Sequence, residues 1–226
     1  MIRKSFVVFL LLLIVGAASL SAVQIVSDTR SSLKSYDYVG LNIGYGVTDE
    51  KYDLSDGQRR EDKGYQFGFS FNDFTFFNSG ANVGFYIELG ISLNTKTEST
   101  VDGVPTSDKK ISPVFSDFIF GFGFRADLGK RTGLLIGVGP EMMMYSKKYK
   151  VGYYEYEKDF LVLGVGLDLE GTYMVSRDVY IGVGFRSSFM FFGTEIDKRK
   201  YETTYTDYDN YFGYRVLPRF SVFLGI

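Results

Sequence analysis

Val83-Gly84-Phe85-Tyr86-Ile87-Glu88-Leu89-Gly90-Ile91-Ser92-Leu93 places an apolar residue at every odd position and, Tyr86 apart, a small or acidic one between. A period of two marks a β-strand, because successive side chains leave opposite faces of the pleated backbone. Seven other stretches repeat the pattern, which predicts strands at roughly 38–48, 64–72, 82–94, 114–128, 133–146, 159–173, 179–193 and 212–226. Each has about the 9–11 residues that a tilted strand needs to cross a bilayer. The expected fold is all-β, an eight-stranded antiparallel up-and-down barrel.

The alternation does not say which face points outward, but side-chain volume does. One face carries Leu41, Ile43, Phe67, Phe69, Phe71, Phe118, Phe120, Phe122, Leu163, Val183, Phe189, Val222 and Leu224. The other carries Gly40, Gly44, Gly68, Gly84, Gly90, Gly123, Gly137, Gly166 and Gly182. An eight-stranded barrel has an interior just wide enough for its inward side chains, and the bulky set would overfill it. The apolar face therefore goes to lipid. A secreted soluble barrel with its apolar face inside, holding a lipophile as lipocalins do, is the third-ranked reading.

The flanking segments agree. Arg3 and Lys4, the apolar run Phe6 to Val15 and the small residues Ser19-Leu20-Ser21-Ala22 read as an export signal over 1–22. Residues 23–36 read as a short periplasmic lead-in to a barrel over 37–226. No later segment has the length and apolarity of a membrane helix. The sequence has no cysteine, so disulfides and a cysteine-linked lipid anchor are both excluded. Removing Arg3 and Lys4 leaves 23 basic against 27 acidic side chains, a balance unsuited to binding nucleic acid.

The connections alternate in length. Those at 49–63, 95–113, 147–158 and 194–211 are long and charged, those at 129–132 and 174–178 are short, and 73–81 is intermediate. Strands with long loops at one end and short turns at the other resemble the small outer-membrane barrels of the OmpX, OmpW and OmpA-membrane-domain types. The likeness covers 37–226 and is one of pattern, without a sequence motif. It implies a monomer or small homo-oligomer in outer-membrane lipid, with both termini on the periplasmic side. Many such barrels end in an aromatic residue, whereas this chain ends in Ile226.

Chemistry is constrained by the absence of histidine. Lipid A-modifying enzymes and omptin-type proteases of similar fold use it, and no Ser–His or Cys–His arrangement can be built here. The expectation is a non-enzymatic protein without cofactor or metal. Gly121-Phe122-Gly123-Phe124-Arg125-Ala126 matches a dinucleotide fingerprint, but β-periodicity continues where that motif needs a helix.

Nine charged residues share the small face: Glu88, Asp117, Arg125, Asp127, Glu141, Asp168, Arg186, Arg215 and Arg219. They make either a paired network that plugs the lumen or the lining of a narrow pore for ions or small solutes. Small apolar molecules leaving by a lateral route are a variant of the second. Asp127 and Glu170 fall near strand ends, where solvation is expected. Tyr149, Tyr153, Tyr154, Tyr201, Tyr205 and Tyr208 in the long loops suit recognition of a host or cell-surface ligand. Tyr45, Tyr65, Tyr145, Tyr173 and Tyr214 are placed for an interfacial girdle. Pro140 and Pro218 predict bulges or register irregularities, and Phe74 to Phe77 a periplasmic interfacial turn. Asp53 to Gly57 and Asp207 to Asn210 have too few ligands for a complete calcium loop and read as turns.

Overall fold

The computed structural model describes residues 37–54, 57–78, 81–105, 114–151, 154–199 and 202–226; the expected signal at 1–22 and lead-in at 23–36 lie outside them. The strands are β1 (Asp37–Asp53), β2 (Arg59–Phe76), β3 (Val83–Val101), β4 (Val104–Pro105), β5 (Val114–Asp127), β6 (Thr132–Val151), β7 (Tyr154–Ser176), β8 (Val179–Arg199), β9 (Glu202–Asp207) and β10 (Asp209–Gly225). Eight of them form a closed antiparallel ring in the order β1, β2, β3, β5, β6, β7, β8 and β10, with β10 pairing back onto β1. Two short strands add to its rim, β4 on β3 and β9 on β8. The start of β1 meets the end of β10 at the short-turn end, where the amide of Asp37 donates to Ile226 and that of Ile226 to Asp37, at 3.2 and 3.0 Å.

The register fixes the geometry of closure. Paired partners run from Gly40 through Asn72, Glu88, Ile119, Glu141, Gly164, Met190 and Gly213, and return to β1 at Glu50. One circuit therefore climbs ten residues, from 40 to 50, which at ordinary strand spacings tilts the strands by roughly 40°. The bulky set faces outward as expected, with Leu41, Phe69, Leu89, Ile91, Phe120, Val183, Phe189 and Leu224 all exposed. A continuous apolar belt around a closed barrel is what a lipid-facing surface shows.

Several expectations need correction. Pro140 and Pro218 cause no register shift. Pro140 stays paired with Val165 and Pro218 with Phe185. On the other flank each ladder lapses for two positions and resumes in the same register. The missing donor thus costs one side of one strand. Register slips fall elsewhere, between Lys51 and Asp53, Tyr65 and Gln66, Leu163 and Gly164, and Met174 and Ser176. The third lets Phe191 and Phe192 both point outward.

The strands also run farther than predicted. The segments 147–158 and 201–214, counted wholly or mostly among the connections but strand-like in sequence and suited to extend hairpins above the membrane, are largely β-structure, since β6 and β7 remain paired up to Val151 and Tyr154 and β8 continues against β9. No turn occurs at Phe74, because β2 continues to Phe76 with Phe74 and Phe76 both buried inside the ring.

Those two rings belong to a feature the sequence pattern hid, since the inner face is not uniformly small. Tyr38, Phe74, Phe76, Tyr86, Ile119, Leu135, Tyr180 and Phe223 form an apolar cluster toward the short-turn end. Tyr52, Phe115, Met143, Tyr145, Phe160, Val162, Met190 and Tyr211 form a second toward the long-hairpin end. The inward glycines are floors for these rings. A Cβ on Gly137 would lie 2.6 Å from the Tyr86 ring, and one on Gly40 2.5 Å from that of Phe223.

Candidate functional site

Between the two apolar clusters the lumen is crossed by a charged belt. Three arginines enter from neighbouring strands, Arg186 from β8 and Arg215 and Arg219 from β10. Five carboxylates face them from β3, β5, β6 and β7: Glu88, Asp117, Glu141, Asp168 and Glu170. All eight are 8% exposed or less, and Glu88, Asp168 and Glu170 are fully enclosed.

Each guanidinium bridges several acids. Arg186 donates to Glu88 at 2.9 Å and to Asp117 and Glu141 at 2.6 Å. Arg215 donates to Asp117 and Glu141, both at 2.7 Å, and to Ser188 at 3.2 Å. Arg219 reaches Glu88 at 2.9 Å and also donates to Asp168 and Glu170. Neutral groups complete the shell, with Asn72 donating to Asp168 at 3.2 Å and Ser221 to Glu170 at 2.8 Å. The planar fork of arginine suits this, because one side chain presents donors in several directions. Burying charge is tolerable only where partners are this numerous.

Packing beside the belt is not complete. A cavity of about 20 Å³ lies beside it against Asn42, Gly44, Gly68, Ser70, Glu88 and Arg186. That is room for about one water molecule.

Seven of the nine predicted lumen charges are in the belt. Arg125 is not: it is buried nearer the short-turn end, 4.4 Å above the Phe76 ring, and donates to the Asn78 carbonyl at 3.1 Å. Asp127 is half-buried at the end of β5. Glu170, expected to be solvated, is instead a full member. Its signal was its phase, two residues from Asp168 on the same face of β7. Tyr86, passed over in the sequence, also touches the belt, its hydroxyl lying 2.9 Å from Asp168 and against Glu88.

The rim above the belt is polar and tied to the upper cluster. Tyr145 donates to Glu50 at 2.9 Å and is 3% exposed, so it faces the lumen and is no part of a girdle. Tyr45, Tyr65, Tyr173 and Tyr214 are exposed, and Tyr45 stacks on Tyr65 at 6.0 Å. Asp62 accepts from Tyr52 and Arg60 at 3.3 Å, and Asn210 donates to Asp53 at 2.7 Å. Of the loop tyrosines, Tyr205 is 68% exposed. Tyr208 is half-buried, 4.5 Å from the Tyr52 ring, with its hydroxyl on Glu195, and so serves the rim's packing. Tyr153 and Tyr201 lie outside the described residues, as do the side chains of Tyr149 and Tyr154.

No protein-family model matches the chain, and no curated protein matches its sequence. Solved structures do match. A major outer membrane protein from Thermus thermophilus aligns with a TM-score of 0.51 at 8% identity, over 83% of this chain and 99% of that one. The outer membrane protein AlkL, solved by solid-state NMR in lipid bilayers, aligns at 0.50 and 12% identity over 88% and 94%. Neisserial surface protein A aligns at 0.47 and 12% identity over 85% and 98%. The fold is that of the small outer-membrane β-barrels. The apolar belt and the closed ring agree with that placement, and this chain is an outer-membrane barrel protein.

Proposed function

We propose that this barrel neither conducts nor catalyses, and that its work is recognition at the cell surface by the strand extensions above the membrane. One observation carries the reading: among the described residues two largely aromatic clusters and a charged belt occupy the lumen, and the cavity beside the belt has room for about one water molecule. Function then falls to what projects from the rim. The β6–β7 hairpin, β8 with β9, and the exposed Tyr205 are the surfaces available. They are continuous with a hydrogen-bonded barrel, which pre-organises them and lowers the entropy cost of binding. The partner implied is a host or cell-surface macromolecule, engaged by a monomer or small homo-oligomer. The absence of histidine and cysteine from the whole sequence supports the non-enzymatic part.

The test is planar-bilayer recording of the refolded protein beside surface binding by cells that display it. The expected result is a silent bilayer. Binding is expected to disappear when 147–158 is replaced by a short turn, while the heat-dependent gel shift of the folded barrel persists. Discrete conductance steps whose selectivity changes in Glu88→Gln would overturn this and favour a narrow channel through the gap beside Glu88.

A further inference from the structure

The belt holds more acid than base. Three guanidinium groups face five carboxyl groups, leaving two surplus negative charges in an enclosed lumen if every acid is ionised. The surplus is not evenly spread. Arg186 and Arg215 together serve Asp117, Glu141 and a share of Glu88, whereas Arg219 alone serves Asp168, Glu170 and the remainder of Glu88. The second carboxyl oxygens of Asp168 and Glu170 are buried and have no donor, as is also true of Glu141 Oε2 on the better-served side. An ionised oxygen left in that state is strongly disfavoured, as an unpaired buried charge is.

Hydrogen counting at Tyr86 locates part of the remedy. Its hydroxyl touches Oε2 of Glu88 and, at 2.9 Å, Oδ2 of Asp168. A phenol has one hydrogen, and an ionised carboxylate only accepts. One hydrogen cannot satisfy both contacts. If either acid is protonated, both are satisfied: the acid donates to the phenol oxygen, and the phenol donates to the other carboxylate.

We propose that Glu88, Tyr86 and Asp168 form a proton-binding site in the lumen that holds one proton between the two carboxyl groups at neutral pH. The groups packed around it are accounted for strand by strand. Asp117 faces it from β5, Glu141 from β6, Glu170 from β7, Arg186 from β8, and Arg215 and Arg219 from β10, while Asn42, Ser70 and Asn72 of β1 and β2 are neutral. The water-sized cavity against Glu88 has room for a water molecule that could take up the exchanging proton. The consequence is a pH-linked plug. Unfolded Asp and Glu are ionised above about pH 5. This site then holds one more proton in the folded barrel than its residues hold in the unfolded chain, so its own contribution to stability falls as pH rises, tenfold in the folding equilibrium constant per unit, until the proton leaves.

Infrared spectroscopy of the folded full-length barrel in lipid tests this directly. A protonated-carboxyl carbonyl band is expected in the wild-type protein at neutral pH, disappearing on alkaline titration. It should be missing in Asp168→Asn and in Glu88→Gln, where an amide replaces the shared partner, and retained in Glu170→Gln. No such band in the wild-type barrel overturns the site. A band that survives in both Asp168→Asn and Glu88→Gln overturns its location. The wild-type reading needs no variant, so a variant that fails to fold leaves the test intact.

Discussion

The middle of the lumen and its two ends fill the same space by opposite means. At the ends, aromatic rings lie on glycine floors, as Phe223 does over Gly40 and Gly182 and Tyr211 over Gly193. In the middle, arginines and carboxylates interlock with almost no exposure. Apolar packing is non-directional, so rings close the ends against water whatever their partners. Charge pairing is directional and fails badly when one member is lost. The ends therefore tolerate the loss of a partner better than the middle does.

The largest effect should come from breaking the middle. Arg219→Met removes the partner of three carboxylates and should destabilise the barrel by about 3–5 kcal/mol in urea unfolding, or prevent refolding. A loss below about 1 kcal/mol would mean the belt is far more hydrated than its burial indicates. Breaking an end comes next. Phe223→Ala opens a cavity over Gly40 and Gly182 and should cost about 3 kcal/mol, with the lumen still silent in bilayer recording because the belt is intact. Conductance in that variant would show that the ends, not the middle, seal the barrel. Tyr145→Phe removes one hydroxyl donor to Glu50 and should cost about 1–2 kcal/mol. The smallest effect is expected at the outer rim, where Lys51 and Glu61 sit 3.4 Å apart and partly exposed. Lys51→Ala should change stability by less than about 1 kcal/mol, and added salt should erase the difference.

Much of this was legible before any coordinates. The alternation along 83–93 and its seven repeats gave the barrel, and the contrast between bulky and glycine faces gave the side that meets lipid. Seven belt charges were visible as charges in phase with glycine. Three kinds of residue were misplaced. Glu170 was judged by its distance from a strand end, but β7 runs on to Ser176. Phe74 and Phe76 look out of phase in the sequence only because the inner face is expected to be small, and both keep the buried phase of β2, while Tyr145 by residue type suits a girdle and a lumen equally well. Tyr208 reads as a recognition residue beyond the girdle, but its ring lies 4.5 Å from that of Tyr52.

The sequence by itself determined the period, the two faces and the charge inventory, because each is a property of neighbouring residues on one strand. Tertiary structure alone decided that Arg219 meets Asp168, that one tyrosine hydroxyl sits between two acids, and that the ring closes with a climb of ten residues. These contacts join residues as much as 131 positions apart. They exist only once all eight registers are satisfied together, and no local pattern encodes that joint condition.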